Sequence, residues 1–243
     1  MKAKETEKKD NLKTTAGNID RLFAVGAHFG YSRSRRHPSV KPYIFGAKNW
    51  VEIIDLEKTN ELLESATSFA KKLGEEGKNI LFVGSKDEAK QAVEEGARAL
   101  EMPYVTGRWI GGTITNFSQI KKRIERMKDL IGKRDKGEFD KKYTKKEQLM
   151  LDREIENLKT NFWGIGSMTE IPHAFFIIDT KNEDIAVKEA KQKGIPVIGL
   201  LNSDSNLTEI DYPIVANDAT RASIKFFVDE IVEAYKEGIK SKK

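Results

Sequence analysis

Hydrophobic and polar positions follow two periods along the chain, and each period predicts a different kind of element. Continuous apolar runs at 80–83 (ILFV) and 175–178 (FFII) are typical of strands buried on both faces of a sheet. Apolar residues spaced three or four positions apart, as from Leu56 to Leu73, are typical of helices. Because such runs and stripes alternate, we predict an α/β fold with a parallel sheet between two layers of helices.

The other elements of the predicted sheet domain follow from the same patterns. Predicted helices cover 86–100, 184–193 and about 218–237, and predicted strands cover 104–105, 196–201 and 212–215. Ser85 and Glu88 have the spacing of a capping box, so we expect them to open the helix at 86–100.

Shorter elements are predicted in the N-terminal part of the chain. Ile19, Leu22 and Phe23, continued by 26–29, predict a short amphipathic helix with Asn18 as its N-cap. Residues 42–55 contain two β-rich runs around 46–49 and predict a hairpin. Residues 1–17 are polar and without periodicity, so we predict a flexible charged extension.

Residues 116–163 interrupt the alternation of strands and helices. Two apolar stripes step by three and four here: Phe117, Ile120, Ile124, Met127 and Ile131, then Leu151, Ile155, Leu158 and Phe162. They predict an antiparallel coiled-coil αα-hairpin. A 16-residue arm would extend about 24 Å, so we expect it to protrude from the sheet domain. The sheet domain itself is predicted to comprise 18–115 and 164–240.

Composition excludes several classes of site. The 243-residue chain has no cysteine, which excludes disulfides, thiolate-bound metals and cysteine nucleophiles. It has no apolar run of about 18 residues and no apolar leader, so we expect a cytoplasmic protein without a membrane partner. His28, His37 and His173 are far apart in sequence, so we predict neither a metal site nor a catalytic residue.

Charge is distributed in blocks. The net charge is only +5, but residues 1–48 carry +7, 49–115 carry −4, 116–163 carry +5 and 164–243 carry −3. No acid occurs between Asp20 and Glu52, a stretch with six Lys and Arg residues. A stretch of one sign within a mixed chain indicates a surface for phosphate.

The core of this stretch, YSRSRRHPSVKPY at 31–43, suggests RNA binding. Arginine pairs bidentately with phosphate, and Tyr31 or Tyr43 is a candidate to stack on an unpaired base. The alternative is a solvated basic loop without a partner. The predicted RNA-binding residues are Arg33, Arg35, Arg36 and Lys41, followed by Arg108, Lys121, Lys122 and Arg123.

Two glycine-containing segments suggest other chemistry. The segment GRWIGGTITNF at 107–117 offers backbone donors for a phosphate or a carboxylate, or forms a structural turn pinned by Trp109. Residues 84–87 follow a buried strand, where doubly wound sheets bind nucleotides, so a nucleotide- or sugar-phosphate-binding enzyme is the alternative function. No P-loop or G-x-G-x-x-G occurs, so we predict no cofactor. Asp55 and Asp179 end apolar runs and are interpreted as helix caps or loop residues.

An ordered series of segments resembles the bacterial form of small-subunit ribosomal protein S2. The series comprises AVGAHFGY (24–31), KPYIFGAKN (41–49), IIDLEKT (53–59), ILFVGSK (80–86), GRWIGGTITNF (107–117), FDKKYTKKE (139–147), FFIID (175–179), GIPVIGLLNSD (194–204) and NDATRASI (217–224). The series covers about residues 18–237 and is far more specific than any one motif in it.

The resemblance implies both a fold and a function. The fold is a flavodoxin-like, Rossmannoid three-layer sheet with a protruding coiled-coil hairpin. The function is structural: rRNA binding in the small ribosomal subunit, without catalysis and in support of translation. Expected partners are small-subunit rRNA, neighbouring ribosomal proteins and, in many bacteria, protein S1. We expect no homo-oligomer.

Overall fold

The N-terminal part of the structure is one helix followed by a three-stranded antiparallel sheet. The structure is a computed structural model that describes residues 17–241, so residues 1–16 of the predicted extension lie outside the described residues. Helix α1 covers 17–24, and the strands are β1 (Phe29–Ser32), β2 (Ile44–Lys48) and β3 (Val51–Ile54), with β3 in the middle. The predicted hairpin is confirmed, because β2 and β3 pair directly.

Two details of the predicted N-terminal helix are wrong. Asn18 lies inside α1 rather than capping it, and Phe29 belongs to β1. Gly26, at φ +73°, takes the left-handed conformation that ends helices, and the backbone N–H of Ala27 bonds back to Leu22. The chain therefore leaves the helix before residues 26–29.

The central sheet has five parallel strands. They are β4 (Ile80–Val83), β5 (Tyr104–Val105), β6 (Ala174–Ile178), β7 (Val197–Leu201) and β8 (Tyr212–Val215). Their spatial order is β5-β4-β6-β7-β8, all neighbours being parallel. Counted along the chain this is 2-1-3-4-5, the flavodoxin-like order, which confirms the predicted fold class.

Helices cover both faces of this sheet. They are α2 (Leu56–Glu76), α3 (Asp87–Arg98), α7 (Asp184–Gln192) and α8 (Arg221–Ser241). Side chains alternate between the faces: Ile80 and Phe82 pack in the cluster formed with α2, α3 and α8, while Leu81 and Val83 pack in the cluster that includes α7. Asp55 caps α2 by accepting a hydrogen bond from Glu57, as predicted for a cap. No helix within 17–241 is long and apolar enough to span a membrane.

Residues 117–162 form two long helices and a short one. These are α4 (Phe117–Asp135), α5 (Glu138–Lys142) and α6 (Lys145–Phe162). The predicted stripes are the packed sides of α4 and α6, since Ile120, Ile124, Ile155 and Leu158 are buried in one cluster that continues into the sheet domain. Supercoiling, protrusion and the domain division remain predictions.

Candidate nucleic-acid interface

Residues 31–48, here called the basic segment, are hydrogen-bonded to the carboxyl edge of the five-stranded sheet. The segment contains two 3-10 turns, Arg33–Arg35 and Pro38–Tyr43. Ser203, in the loop after β7, holds it at two points: its hydroxyl accepts from the Tyr31 N–H at 3.0 Å, and its carbonyl accepts from the His37 N–H at 2.8 Å. The segment therefore has a fixed position on the sheet domain.

The predicted cations of the basic segment divide into two groups. Arg33, Arg35 and Lys41 are exposed, and none forms an ion pair within residues 17–241. Arg36 is different, because its guanidinium lies 3.1 Å from a carboxylate oxygen of Glu52, whose side chain is only 1% exposed. Arg36 thus compensates a buried charge, while the other three face solvent.

The rings of the two predicted stacking residues, Tyr31 and Tyr43, contact other groups of the protein. The ring of Tyr31 has the Arg35 guanidinium 5.6 Å and the Lys86 ammonium 5.9 Å from its centre, and Lys86 also donates to its hydroxyl at 3.2 Å. Tyr43 is partly buried against the core. Both rings thus already have contacts within the protein, and base stacking by either tyrosine stays a prediction.

An ion cluster lies at the crevice where a doubly wound sheet would bind a nucleotide. At the switch point between β4 and β6, the Lys86 ammonium lies 2.8 Å from Asp179 and 3.4 Å from Asp218. Burial raises the pKa of Asp218 to about 6, and the nearby Asp179 carboxylate also raises it. Burial would lower the pKa of Lys86, but Asp218 and Asp179 outweigh it and raise that pKa.

Ser85 takes part in a buried contact instead of the predicted capping box. The N-cap of α3 is Lys86, and it makes no side-chain capping bond. The Ser85 backbone N–H and hydroxyl both donate to the carboxylate of Glu183, whose pKa burial raises. The predicted capping box is therefore wrong, because a buried acceptor competes for the serine.

The glycine-rich segment 107–117 is a structural turn built around Glu189. The Glu189 carboxylate, on α7, accepts from the backbone N–H groups of Gly112 at 2.6 Å, Ile114 at 3.0 Å and Thr115 at 3.1 Å, and from the Trp109 indole at 3.2 Å. Burial alone would raise the pKa of Glu189, but these hydrogen bonds lower it. The donors considered for phosphate are thus bound internally.

The other predicted cations lie outside the basic segment. Arg108 is exposed beside a cleft lined by Ser85 and Glu183. Lys121, Lys122 and Arg123 are consecutive exposed residues of α4, and they form no ion pair in the described part of the chain. The eight predicted residues therefore occupy three places: the basic segment, the turn at 108 and the first half of α4.

Comparison with known proteins identifies the family. Residues 22–238 match the family model described as ribosomal protein S2. The chain belongs to the ribosomal protein S2 family. It is 40% identical over 220 residues to small ribosomal subunit protein uS2 of Coprothermobacter proteolyticus, which covers 90% of this chain and 82% of the relative. The uS2 proteins of Acidothermus cellulolyticus and Salinibacter ruber are 43% and 41% identical, over 90% and 93% of this chain and 79% and 70% of the relatives.

Membership of the S2 family determines the general function. S2 is a structural constituent of the small ribosomal subunit and not an enzyme. The subunit is a cytoplasmic ribonucleoprotein that acts in translation. The alternative of a nucleotide- or sugar-phosphate-binding enzyme is therefore wrong.

Sequence reasoning missed the roles that three residues of this S2 chain have in the structure. Lys86 forms ion pairs with Asp179 and Asp218, and Glu189 accepts hydrogen bonds from the turn at 109–115. Each of these partners is 70 or more positions away in sequence. Trp50 is the third, since its side chain is 84% exposed beside the basic segment. Its exposure could have been expected from the sequence, because Trp50 follows Asn49 at the turn of the predicted hairpin.

Proposed function

We propose that the chain binds small-subunit rRNA directly through the basic segment, and neighbouring ribosomal proteins through other surfaces. The observation that carries this proposal is a set of exposed cations, Arg33, Arg35 and Lys41, without ion pairs among the described residues. They lie in a stretch with no acid from residue 21 to 51. Because these cations are unpaired and their backbone is held in place, they can bind a phosphate backbone without first breaking an ion pair.

The predicted contact residues have different roles in this proposal. Arg33, Arg35 and Lys41 neutralise phosphates, and Arg36 holds the segment in place through Glu52 while offering its remaining donors to RNA. Arg108, Lys121, Lys122 and Arg123 form a second contact along the turn and α4. The sheet domain, 18–115 and 164–240, acts as a rigid wedge, and 116–163 extends toward RNA as a coiled-coil hairpin.

Salt dependence of rRNA binding tests the proposal. The variant Arg33→Ala/Arg35→Ala/Lys41→Ala leaves Arg36 and its buried partner intact. Its affinity for a small-subunit rRNA transcript is measured by filter binding over a series of salt concentrations. We expect weaker binding and a log–log salt slope that is shallower by about 0.7–0.9 for each phosphate that the variant no longer neutralises.

A matched control removes three cations that already have partners. Lys90, Lys188 and Lys225 are exposed and pair with acids on their own helices at 2.6, 2.6 and 3.5 Å. The variant Lys90→Ala/Lys188→Ala/Lys225→Ala has the same net charge as the test variant but should bind with nearly the wild-type slope. Equal slopes for test and control variants would show that only net charge matters and would refute the assigned contacts.

We propose that the protein contacts are made by a monomer and, where the organism has it, include protein S1. Exposed aromatic side chains outside the basic segment support a protein contact: Phe23 is 62% and Phe29 48% exposed. The ring of His28 stacks on Phe23 at a centroid distance of 4.5 Å and lies tilted against Phe29 at 4.1 Å. Purified S1 should bind the wild type and not Phe23→Ser/Phe29→Ser, and sedimentation equilibrium should give the monomer mass.

A further inference from the structure

Trp50 has an open ring at a strained position of the chain. Its side chain is 84% exposed, more than that of any other large hydrophobic residue in the described part of the chain. Asn49 and Trp50 form the two-residue turn between β2 and β3, with φ values of 51° and 67°. Glycine is the favoured residue at the second position of such a turn, because a side chain is strained at positive φ. Trp50 is therefore neither required by the turn nor buried in the core.

The position of Trp50 brings it next to free positive charge. Its carbonyl accepts a hydrogen bond from the Arg33 N–H at 3.1 Å, which joins the hairpin to the turn Arg33–Arg35. Lys48 precedes the turn and pairs with Val51 across it. Like Arg33 and Arg35, Lys48 is exposed and has no ion pair within 17–241. The acid nearest in sequence, Glu52, is buried.

An exposed aromatic ring in a hairpin that also carries free cations is a combination that binds unpaired nucleotides. The cations bind phosphates, and the ring stacks on a base. A duplex offers phosphates but keeps its base faces stacked, so the ring would gain nothing from it. We propose that Trp50 stacks on an unpaired nucleotide of the RNA bound by the basic segment; this inference rests on the proposed function and deepens it.

Substitution of Trp50 separates stacking from electrostatic binding. Trp50→Gly should weaken binding to the small-subunit rRNA transcript by roughly tenfold or more, while the salt slope stays the same because no charge is removed. Trp50→Phe, which keeps an aromatic ring, should retain most of the affinity. Since glycine relieves the positive φ, the Tm of Trp50→Gly should equal or exceed that of the wild type. A blunt RNA duplex should bind wild type and Trp50→Gly equally.

Fluorescence reports the stacking itself. Trp109 is buried and Trp163 is 55% exposed, so Trp163→Phe is the matched control. The rRNA transcript should quench wild type and Trp163→Phe, and the quenching should be lost in Trp50→Phe.

The outcomes distinguish this inference from the function on which it rests. If Trp50→Gly binds the transcript like the wild type while Arg33→Ala/Arg35→Ala/Lys41→Ala binds weakly, the stacking proposal is wrong and rRNA binding stands. If the wild type does not bind the transcript, both are wrong. Quenching of Trp50 by a purified ribosomal protein and not by RNA would overturn the stacking proposal in favour of a protein contact.

Discussion

The Lys86 ammonium lies 2.8 Å from the Asp179 carboxylate at the point where the strand order of the sheet reverses. Asp218, whose side chain is 1% exposed, lies 3.4 Å from the same ammonium. Lys86 therefore joins the ends of β4 and β6 to the loop after β8, and its bond to the Tyr31 hydroxyl adds β1. One lysine thus connects the basic segment to the core of the sheet domain.

Removing the Lys86 ammonium should destabilise the fold strongly. Lys86→Met leaves two carboxylates close together with one of them buried, so we expect the free energy of unfolding to fall by about 3–5 kcal/mol. Urea denaturation measures this change. Lys90→Met removes an exposed ion pair with Asp87 within α3 and should lower the free energy of unfolding by less than about 1 kcal/mol. Similar losses for both variants would contradict a structural role for the Lys86 cluster.

Asp218 should make stability depend on pH between about 4 and about 6. Its pKa, raised by burial to about 6 from an ordinary 3.8, means that the folded state binds the proton more tightly than the unfolded chain does. This contribution is fully present below the unfolded pKa and is lost as the pH rises through the folded pKa. Asp218→Asn should remove that component from the curve of unfolding free energy against pH. An NMR titration of the Asp218 carboxyl group with a midpoint near 4 would refute this pH dependence.

Sequence patterns predicted the elements that local physics determines. The run at 80–83 became β4 with the same bounds, and the stripe from Leu56 became α2, because burial on one or two faces leaves a direct periodic signal. The positive block at 1–48 likewise contains the exposed cations of the basic segment.

Pairings between distant segments left no such signal. Ser85 and Glu88 fit a capping box, yet Glu183, 98 positions away, binds Ser85 instead. Lys86, Asp179 and Asp218 come from three segments, and only the strand order brings them together. In the RSRR run, Arg36 is paired because the buried Glu52 lies beside it. This contact depends on the tertiary structure and cannot be read from the local sequence.

Glu189 should be sensitive to removal of its charge. In Glu189→Gln, one carboxylate oxygen becomes an NH2 group that faces N–H donors, so at least one of them loses its acceptor, at about 1–3 kcal/mol for each buried donor. Thermal unfolding should show this loss. The control Asp184→Asn changes an exposed carboxylate on the same helix, paired with Lys188, and should leave the Tm nearly unchanged.

The pH dependence associated with Glu189 should have the opposite sign to that of Asp218. Because hydrogen bonds outweigh burial and lower its pKa below 4.5, Glu189 contributes stability that is present above the unfolded pKa. That stability is lost as the pH falls through the folded pKa. In Glu189→Gln, the unfolding free energy should therefore fall less between about pH 5 and about pH 3 than in the wild type. Parallel curves for the two proteins would contradict this assignment.

The same substitution, Gly→Ala, should change stability in opposite directions at two helical glycines. Gly74 of α2 lies against the backbone of Tyr235 on α8, so a Cβ there would overlap the Tyr235 carbonyl and force the two helices apart. We expect Gly74→Ala to lower the free energy of unfolding by about 1–3 kcal/mol or more. At Gly132 of α4 an added Cβ would have no neighbouring atom within 4 Å, so Gly132→Ala should raise it by about 0.5–1 kcal/mol through the helix preference of alanine. Urea denaturation of both variants checks the pair, and a loss of stability at Gly132 as large as that at Gly74 would show that helix packing is not the cause.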